Sequence, residues 1–404
     1  MGIPFCDTKH QVISMSPSCA SSWVMHFRFE SADQRLEYDK FWKITEVMNT
    51  NVLGFQTHRD HFAVDFEETN ILRRFQDMRE SYLSDDEYVN KYEIKNNRDW
   101  QLDKSRKIIR LDNQWKDKIT NCLYRPFDWR YCYFSYVAMD YPRRELIDHV
   151  LKRDNLCLLS SRQQANLGYR HCWVSNEPSN DCVISTTSRE ANQVFPLYLY
   201  PTNTSTLFET EPTSSPHGRR PNLAPEFINE LSQKLGLEFC PLPPAPSPKA
   251  GEGEQEKESL SPSPPLGEGF RVRAYFTPED IFYYIYATFH SPHYRQRYAE
   301  FLKIDFPRVP LTSNKQLFWE LVNKGDRLVQ LHLMKEIGTE ISSYPIDGSN
   351  LVEQVKYNET QQQNLDQRPA IFRERSQTHL ELLHRRLSSL SEMAQRPQRT
   401  RTQL

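Results

Sequence analysis

Tyr124-Arg-Pro-Phe-Asp-Trp-Arg130, followed by Met139-Asp-Tyr-Pro-Arg-Arg144, opens the part of the chain where the texture turns from helix to strand. From 121 to 200, short runs rich in β-branched, aromatic and cysteine residues alternate with turn signals. They are Tyr131–Phe134, Asn155–Leu159, His171–Ser175, Asp181–Ser185 and Phe195–Tyr200. Pro196 predicts that the last of these lies at a sheet edge, because proline cannot donate to a ladder. Within the opening stretch, arginine offers a planar fork of donors suited to phosphate or to a guanine edge, and proline fixes the loop presenting it. The competing reading pairs Arg125 with Asp128 structurally and puts the aromatic rings in a core.

Upstream, little periodicity marks residues 1–35, and order is expected near Tyr38. Phe41, Trp42, Ile44 and Val47 stand at helical spacing before a turn at Gly54. Residues 68–118 combine dense charge with Ile71, Leu72, Phe75, Met78 and Tyr82 every three or four positions, which predicts amphipathic helices. The span 36–120 therefore reads as a helical spacer and 121–240 as a β-rich lobe. Residues 241–270 are of a different composition. Pro246-Ser-Pro-Lys-Ala-Gly-Glu-Gly253 recurs as Pro262-Ser-Pro-Pro-Leu-Gly-Glu-Gly269, and such residues cannot build a core, so a flexible insert without chemistry is expected.

Residues 271–357 read as a helical lobe. Ile281–His290 is broken by Ser291-Pro292, and Tyr294–Leu302 resumes the helix before Pro307 and Pro310. Ser313 and Gln316 have capping-box spacing ahead of Leu317, Phe318, Leu321, Val322, Leu328, Val329 and Leu333. The stretch 358–404 carries eight Arg and no Lys, with a formal charge of +3. It reads as a basic, disordered tail in which only Leu380–Leu390 has a helical pattern. The class expected is thus α+β.

Composition narrows the function. A net charge of −2 leaves any nucleic-acid surface to a local patch. Mean hydropathy is −0.74, and the most apolar run, Ile281–Phe289, is too short to span a bilayer, so no membrane partner is expected. The eight cysteines form no C-x-x-C pair and several sit in apolar runs, which suits a reducing cytoplasm. Outside the insert no Pro-Pro-aromatic amine-holding loop occurs, and no G-x-x-x-x-G-K-S/T phosphate loop, H-E-x-x-H or paired C-x-x-C is present. His58-x-x-His61 with Asp60 or Asp65 is a weak metal candidate. Glu93-Ile-Lys95 with Asp85 and Asp86 upstream has the residue types of a divalent-metal nuclease, but a solvated helix face accounts for them more simply.

The polar candidates for DNA contact cluster better. Ser161-Arg-Gln-Gln164 follows an apolar run, so Arg162, Gln163 and Gln164 are expected in a loop at a strand end, with side chains suited to guanine and adenine edges. Arg143, Arg144, Arg219 and Arg220 suit phosphate contacts. Arg59, in Thr57-His58-Arg59-Asp60, joins them unless it pairs with Asp60. Arg125 and Arg130 complete the set.

Five stretches together carry a family resemblance. They are Gly54-Phe-Gln-Thr-His-Arg-Asp60, Tyr124–Arg130, Tyr141-Pro-Arg-Arg144, Phe195-Pro-Leu-Tyr198 and His290-Ser-Pro-His-Tyr-Arg-Gln-Arg-Tyr-Ala-Glu-Phe-Leu-Lys-Ile-Asp-Phe-Pro-Arg308. From about Tyr38 to Tyr357 the chain resembles the C-terminal specificity region of type ISP restriction–modification enzymes. Those join a nuclease, a helicase-like motor, an N6-adenine methyltransferase and a DNA target-recognition domain in one polypeptide. The resemblance implies sequence-specific binding of double-stranded DNA for adenine methylation and restriction. Catalysis, with S-adenosylmethionine, ATP and Mg²⁺, would belong to parts that this sequence lacks. A separate methyltransferase or helicase polypeptide is then an expected partner. After Asn350–Tyr357 the family's Asn-, Gly-, Tyr- and Trp-rich ending is replaced by the Gln/Arg tail, so the chain is expected to be a truncated fragment. The alternatives are a metal-dependent nuclease using Asp86, Glu93 and Lys95, and a non-functional remnant in contact with a neighbouring methyltransferase.

Overall fold

The computed structural model describes residues 32–163, 172–185, 190–201, 218–241 and 273–336, with the backbone of four short strands between 342 and 374. The architecture mixes helices and sheets, as the α+β reading expects. At its centre lies a four-stranded antiparallel sheet in the order Val52–Leu53, Asn192–Pro196, Cys157–Ser161, Cys172–Ser175. Strand alternation sorts its side chains onto two faces. Leu158, Phe195, Cys172 and Val174 join one core, while Cys157, Leu159 and Val194 join a smaller one with Leu123, Leu146, Val150 and Val183. With both faces covered, Cys157–Ser161 is buried along its whole length, which explains why its sequence is a continuous apolar run.

Pro196 does not mark an edge. Its strand lies between Val52–Leu53 and Cys157–Ser161, and Pro196 is the last residue, beyond the final pair with Val52. Asp181–Ser185 is a turn and bend, not the strand its apolar residues suggest. Phe41–Val47 is likewise not one helix: Trp42–Lys43 pairs with Arg308–Val309, and only Ile44–Val47 is helical.

The helices Glu68–Glu80, Asp85–Tyr92 and Leu102–Leu111 form where apolar spacing predicts them. Ser84 and Glu87 close a capping box at the start of the second. These helices are not a spacer, however. They bury Ile71, Phe75, Met78, Tyr88 and Ile109 in one core with Cys122, Cys132 and Tyr133 of the strands Ile119–Arg125 and Asp128–Tyr133. Phe75 and Tyr133 stack with centroids 3.8 Å apart. A division at 120 would cut through the first strand of this hairpin.

The C-terminal helices Pro278–His290 and Lys315–His332 pack so closely that Gly325 is required. A Cβ there would lie 1.9 Å from the Tyr283 carbonyl oxygen. Thr277 and Asp280 cap the first, and the second is capped by Asn314, one residue after the serine that the sequence suggests. Ser291-Pro292 breaks the chain as expected, but the following helix also stops at Arg297 and restarts at Ala299. This lobe shares its core with Tyr38, Val47, Leu158, Phe195 and Phe227, so it is not a separate module either. Strands Lys356–Asn358, Gln363–Leu365 and Ile371–Glu374 pair with one another, and the last pairs with Ser342–Ser343, which carries regular backbone into the stretch read as a tail. Residues 1–31, the repeats of the insert and Leu380–Leu390 lie outside the described residues. No described helix is long and apolar enough to cross a membrane.

Candidate nucleic-acid interface

Three of the five quoted stretches, far apart in sequence, meet at one place. Gln56 and Tyr141 exchange backbone hydrogen bonds of 3.0 and 3.1 Å, and the Tyr124 hydroxyl donates to Asp60 Oδ2 at 2.8 Å. Residues 178–181 thread between them. Phe55 N donates to Ser179 O, Asp181 N to Phe55 O, Leu123 N to Pro178 O and Asn180 N to Leu123 O, all within 3.1 Å. Gly54 permits this approach, since a Cβ would lie 2.6 Å from the backbone of Asn180. Side chains lock the same junction: Gln56 Nε2 donates to Asp181 Oδ2 at 2.5 Å, and Asn180 Oδ1 accepts from Cys182 N at 3.0 Å. Sequence reading missed Asn180 and Asp181. Their signal, a polar Ser179-Asn-Asp181 ahead of an apolar pair, has no spacing that singles it out.

Arg125 and Arg130 are held in fixed poses over the hairpin. Arg125 donates through Nη1 to Tyr124 O and to Asn180 Oδ1, at 2.5 and 2.9 Å. Arg130 grips Asp128 through Nε and Nη2, at 2.9 and 2.8 Å. The expected Arg125–Asp128 pairing is therefore replaced by Arg130–Asp128. Each guanidinium keeps three N–H donors outside these bonds. Both also stack on aromatic rings: Arg125 lies 4.0 Å from the Tyr124 centroid, and Arg130 lies 4.3 Å from Tyr124 and 4.1 Å from Phe66. Burial, reinforced by the bond to Asp60, pushes the Tyr124 hydroxyl pKa up to about 12, so it stays a donor at neutral pH. Of the described non-glycine residues at positive φ, Glu93, Lys152 and Met334 follow helix ends. The others, His58 (51°), Phe127 (62°) and Arg143 (55°), fall one in each converging stretch. Left-handed backbone costs about 1–2 kcal/mol per residue, and such strain concentrates at functional sites.

The sequence matches the Type ISP C-terminal specificity domain family over residues 46–375. The chain belongs to that family. No curated protein sequence matches it. Among solved structures, the specificity domain is similar to part of LlaBIII, described as an ATP-dependent Type ISP restriction-modification enzyme bound to DNA, at 18% identity and a TM-score of 0.54. That match covers 83% of this chain and 20% of the LlaBIII chain. A nuclease-deletion mutant of the Type ISP enzyme LlaGI, in complex with a DNA substrate mimic, matches at 18% identity and a TM-score of 0.50, over 83% of this chain and 28% of that one. The DrdV–DNA complex matches at 18% identity and 0.52, over 81% of this chain and 29% of that one. These likenesses establish a shared fold, and the chain spans less than a third of the length of each.

The remaining predicted residues of the specificity domain divide clearly. Arg59 is only 2% exposed; it donates to Asp140 Oδ1 at 2.7 Å and Ala138 O at 3.0 Å, and stacks on Trp100 at 3.9 Å. It is a structural ion pair with Asp140, neither a phosphate contact nor a partner of Asp60. His58 also bonds Asp140, whereas His61 faces the Tyr92 carbonyl, so the two imidazoles do not converge on a metal. Among the described residues no group of three or more His, Cys, Asp or Glu could hold one. Asp86 lies in the first turn of its helix and Glu93 caps the other end, about 10 Å along the axis, so they do not form one nuclease site.

Arg143 leans on Tyr141 at 4.9 Å, and Arg144 begins the helix Arg144–Val150. Arg162 and Gln163 are exposed at the end of Cys157–Ser161, as expected, with Arg162 3.4 Å from Asp305; Gln164 lies outside the described residues. Arg219 stacks on Tyr198 at 4.1 Å and reaches Asp154, while Arg220 is exposed on a two-residue strand. The predicted set thus occupies several places: Arg59, Arg125, Arg130, Arg143 and Arg144 come from the three converging stretches, and of these Arg59 is turned into the core.

Proposed function

We propose that this specificity domain reads the sequence of duplex DNA on behalf of an adenine-methylating restriction–modification enzyme, and contributes recognition without chemistry. The observation that carries this is the pair of pre-oriented guanidiniums, Arg125 and Arg130, at a strained junction of three family stretches. Each is fixed by a partner of its own while most of its donors stay available, so little side-chain entropy remains to be lost on binding. All three similar structures are complexes with DNA or a DNA mimic, which supports the same reading. Arg143, Arg144 and Arg220 would position the duplex by phosphate contact. Arg162 and Gln163, on an exposed loop, would read base edges. Methyl transfer, ATP hydrolysis and cleavage would fall to a methyltransferase, motor and nuclease supplied in other polypeptide segments.

Binding of the purified chain to a library of duplexes at several salt concentrations tests this. Arg143→Glu with Arg144→Glu should weaken binding to every sequence and lower the salt slope by about 2. Arg162→Ala or Gln163→Ala should change the ranking of sequences instead. Equal binding by the double charge reversal at all salt concentrations would refute the phosphate assignment. Incubation with DNA, S-adenosylmethionine, ATP and Mg²⁺ should give neither methylation nor hydrolysis nor nicking. Nicking abolished by Glu93→Ala would replace the recognition reading with a nuclease.

A further inference from the structure

The alternating stack of guanidiniums and aromatic rings at the junction ends in a largely exposed phenylalanine, Phe66. From inside to outside the order is Arg125, Tyr124, Arg130, Phe66, with successive guanidinium-to-centroid distances of 4.0, 4.3 and 4.1 Å. Every inner member is pinned: Arg125 by Asn180, Tyr124 by Asp60 and Arg130 by the fork of Asp128. Phe66 sits in the bend between strand Val64–Asp65 and helix Glu68–Glu80 and is 63% exposed, whereas Phe62 and Phe75 nearby are buried. A solvent-facing ring over a fixed cation forgoes the free energy that burying a phenylalanine would gain. The guanidinium beneath occupies one face and draws on the ring's electron density, leaving the other face flat and accessible. Free donors of Arg130 flank it, where they can meet a phosphate or a base edge.

We infer that the outer face of Phe66 is a stacking site for an unpaired nucleobase. The ring would extend the alternating ladder by one layer when a base is displaced from the duplex or presented on a single strand. This rests on the DNA-recognition reading and deepens it, assigning the ladder to a base that has left its pair. Aromatic stacking of this kind tolerates any base, because each has a π-face, so Phe66 would add affinity without sequence preference. Aliphatic or cationic protein side chains would not explain a flat ring backed by a clamped guanidinium as well as a planar base does.

The test uses the full chain and two probes. One is a fully paired duplex; the other is a single-stranded oligonucleotide carrying one 2-aminopurine, whose fluorescence is quenched on stacking. The chain should bind and quench the single-stranded probe. Phe66→Ala should weaken that binding about fivefold to a hundredfold and restore fluorescence. Phe66→Trp should retain quenching, and Phe66→Leu, which covers Arg130 without a π-face, should behave like Phe66→Ala. Melting temperatures close to the parent would show that the exposed substitution leaves the fold intact. Duplex binding with 2-aminopurine quenching indifferent to Phe66 overturns the stacking site alone. Phe66-dependent quenching without duplex binding upholds the site and overturns the duplex reading. Loss of both overturns both.

Discussion

The junction of Gly54–Asp60 with Tyr124–Arg130 and the helical stretch His290–Arg308 are built from the same residue types and use them in opposite ways. At the junction, tyrosine is sandwiched by guanidiniums and its hydroxyl is tied to a carboxylate. In the helical stretch, rings lie on rings: Tyr294 faces Phe289 and Tyr298, with centroids 5.9 and 5.2 Å away. The Tyr294 hydroxyl donates to Arg308 O at 2.7 Å and accepts from Arg308 N at 3.0 Å, so backbone groups engage it as both donor and acceptor. Arg308 itself donates to the Asp39 carbonyl and lies 3.2 Å from the Asp39 carboxylate. The two regions therefore differ in what their polar groups have left over: Arg125 and Arg130 each keep three N–H donors outside their bonds, whereas the Tyr294 hydroxyl is closed on the Arg308 backbone.

Arg59 is the exception that sharpens this contrast, being a junction arginine used as a core residue. Arg59→Leu removes the guanidinium from buried Asp140 and leaves it only His58 and Asn97, and breaking such a pair costs about 3–5 kcal/mol. Urea denaturation should show a loss of that size; a loss below about 1 kcal/mol would move Arg59 to the surface set. On the helical side the corresponding probe is Gly325→Ala. The new methyl meets the Tyr283 carbonyl, and overpacking of this kind costs about 1–3 kcal/mol. An unchanged melting temperature would mean that the two helices separate easily.

Acid should affect the C-terminal core through its buried histidines. Burial holds the His290 imidazole well below its usual pKa, with Arg295 and His332 adding to the effect, and its Nδ1–H donates to Tyr286 O at 2.8 Å. Burial lowers His149 too, whose Nδ1 accepts from Tyr200 N. Both rings are neutral in the folded chain, while in the unfolded chain they take up a proton near pH 6.5. The unfolded state thus binds more protons below that value, so stability is fully present above pH 6.5 and declines as pH falls through it. Melting temperature followed from pH 7.5 to 5.5 should fall, and His290→Gln should flatten the slope. A level profile would place both rings in contact with water.

Much of this was legible in the sequence. Helical spacing gave Glu68–Glu80 and Lys315–His332, and continuous apolar runs gave Cys157–Ser161, because a strand covered on both faces must be apolar throughout. Partnership was not legible. Nothing in Thr57-His58-Arg59-Asp60 shows that Arg59 turns inward to a residue 81 positions away while Asp60 receives Tyr124. Pro196 misled for a related reason: proline is excluded only where a ladder bond is needed, and no residue of Val52–Leu53 lies opposite it. Local pattern fixes the element, whereas long-range pairing decides which face of a side chain is left to act.

The smallest effect is expected from the connection between Glu238–Phe239 and Tyr275–Phe276. These two short strands pair in parallel, so the chain between them must return along the length of the pair, and Cys240 N donates to Phe276 O at 2.8 Å. A strand of two residues is only about 7 Å long, so a handful of residues suffices for the return. Deleting 246–269 removes both copies of the Pro-Ser-Pro repeat and keeps 242–245 and 270–272. Loop-closure entropy changes by about 0.6 kcal/mol per doubling of length, so a roughly fourfold shortening should stabilise the fold by about 1 kcal/mol. Calorimetry would show a melting temperature equal to the parent's or slightly raised, with duplex affinity unchanged. A marked drop in melting temperature would mean that the repeats pack against the helical core, and that this core is not closed by the rings of Phe276, Tyr284 and Phe318 alone.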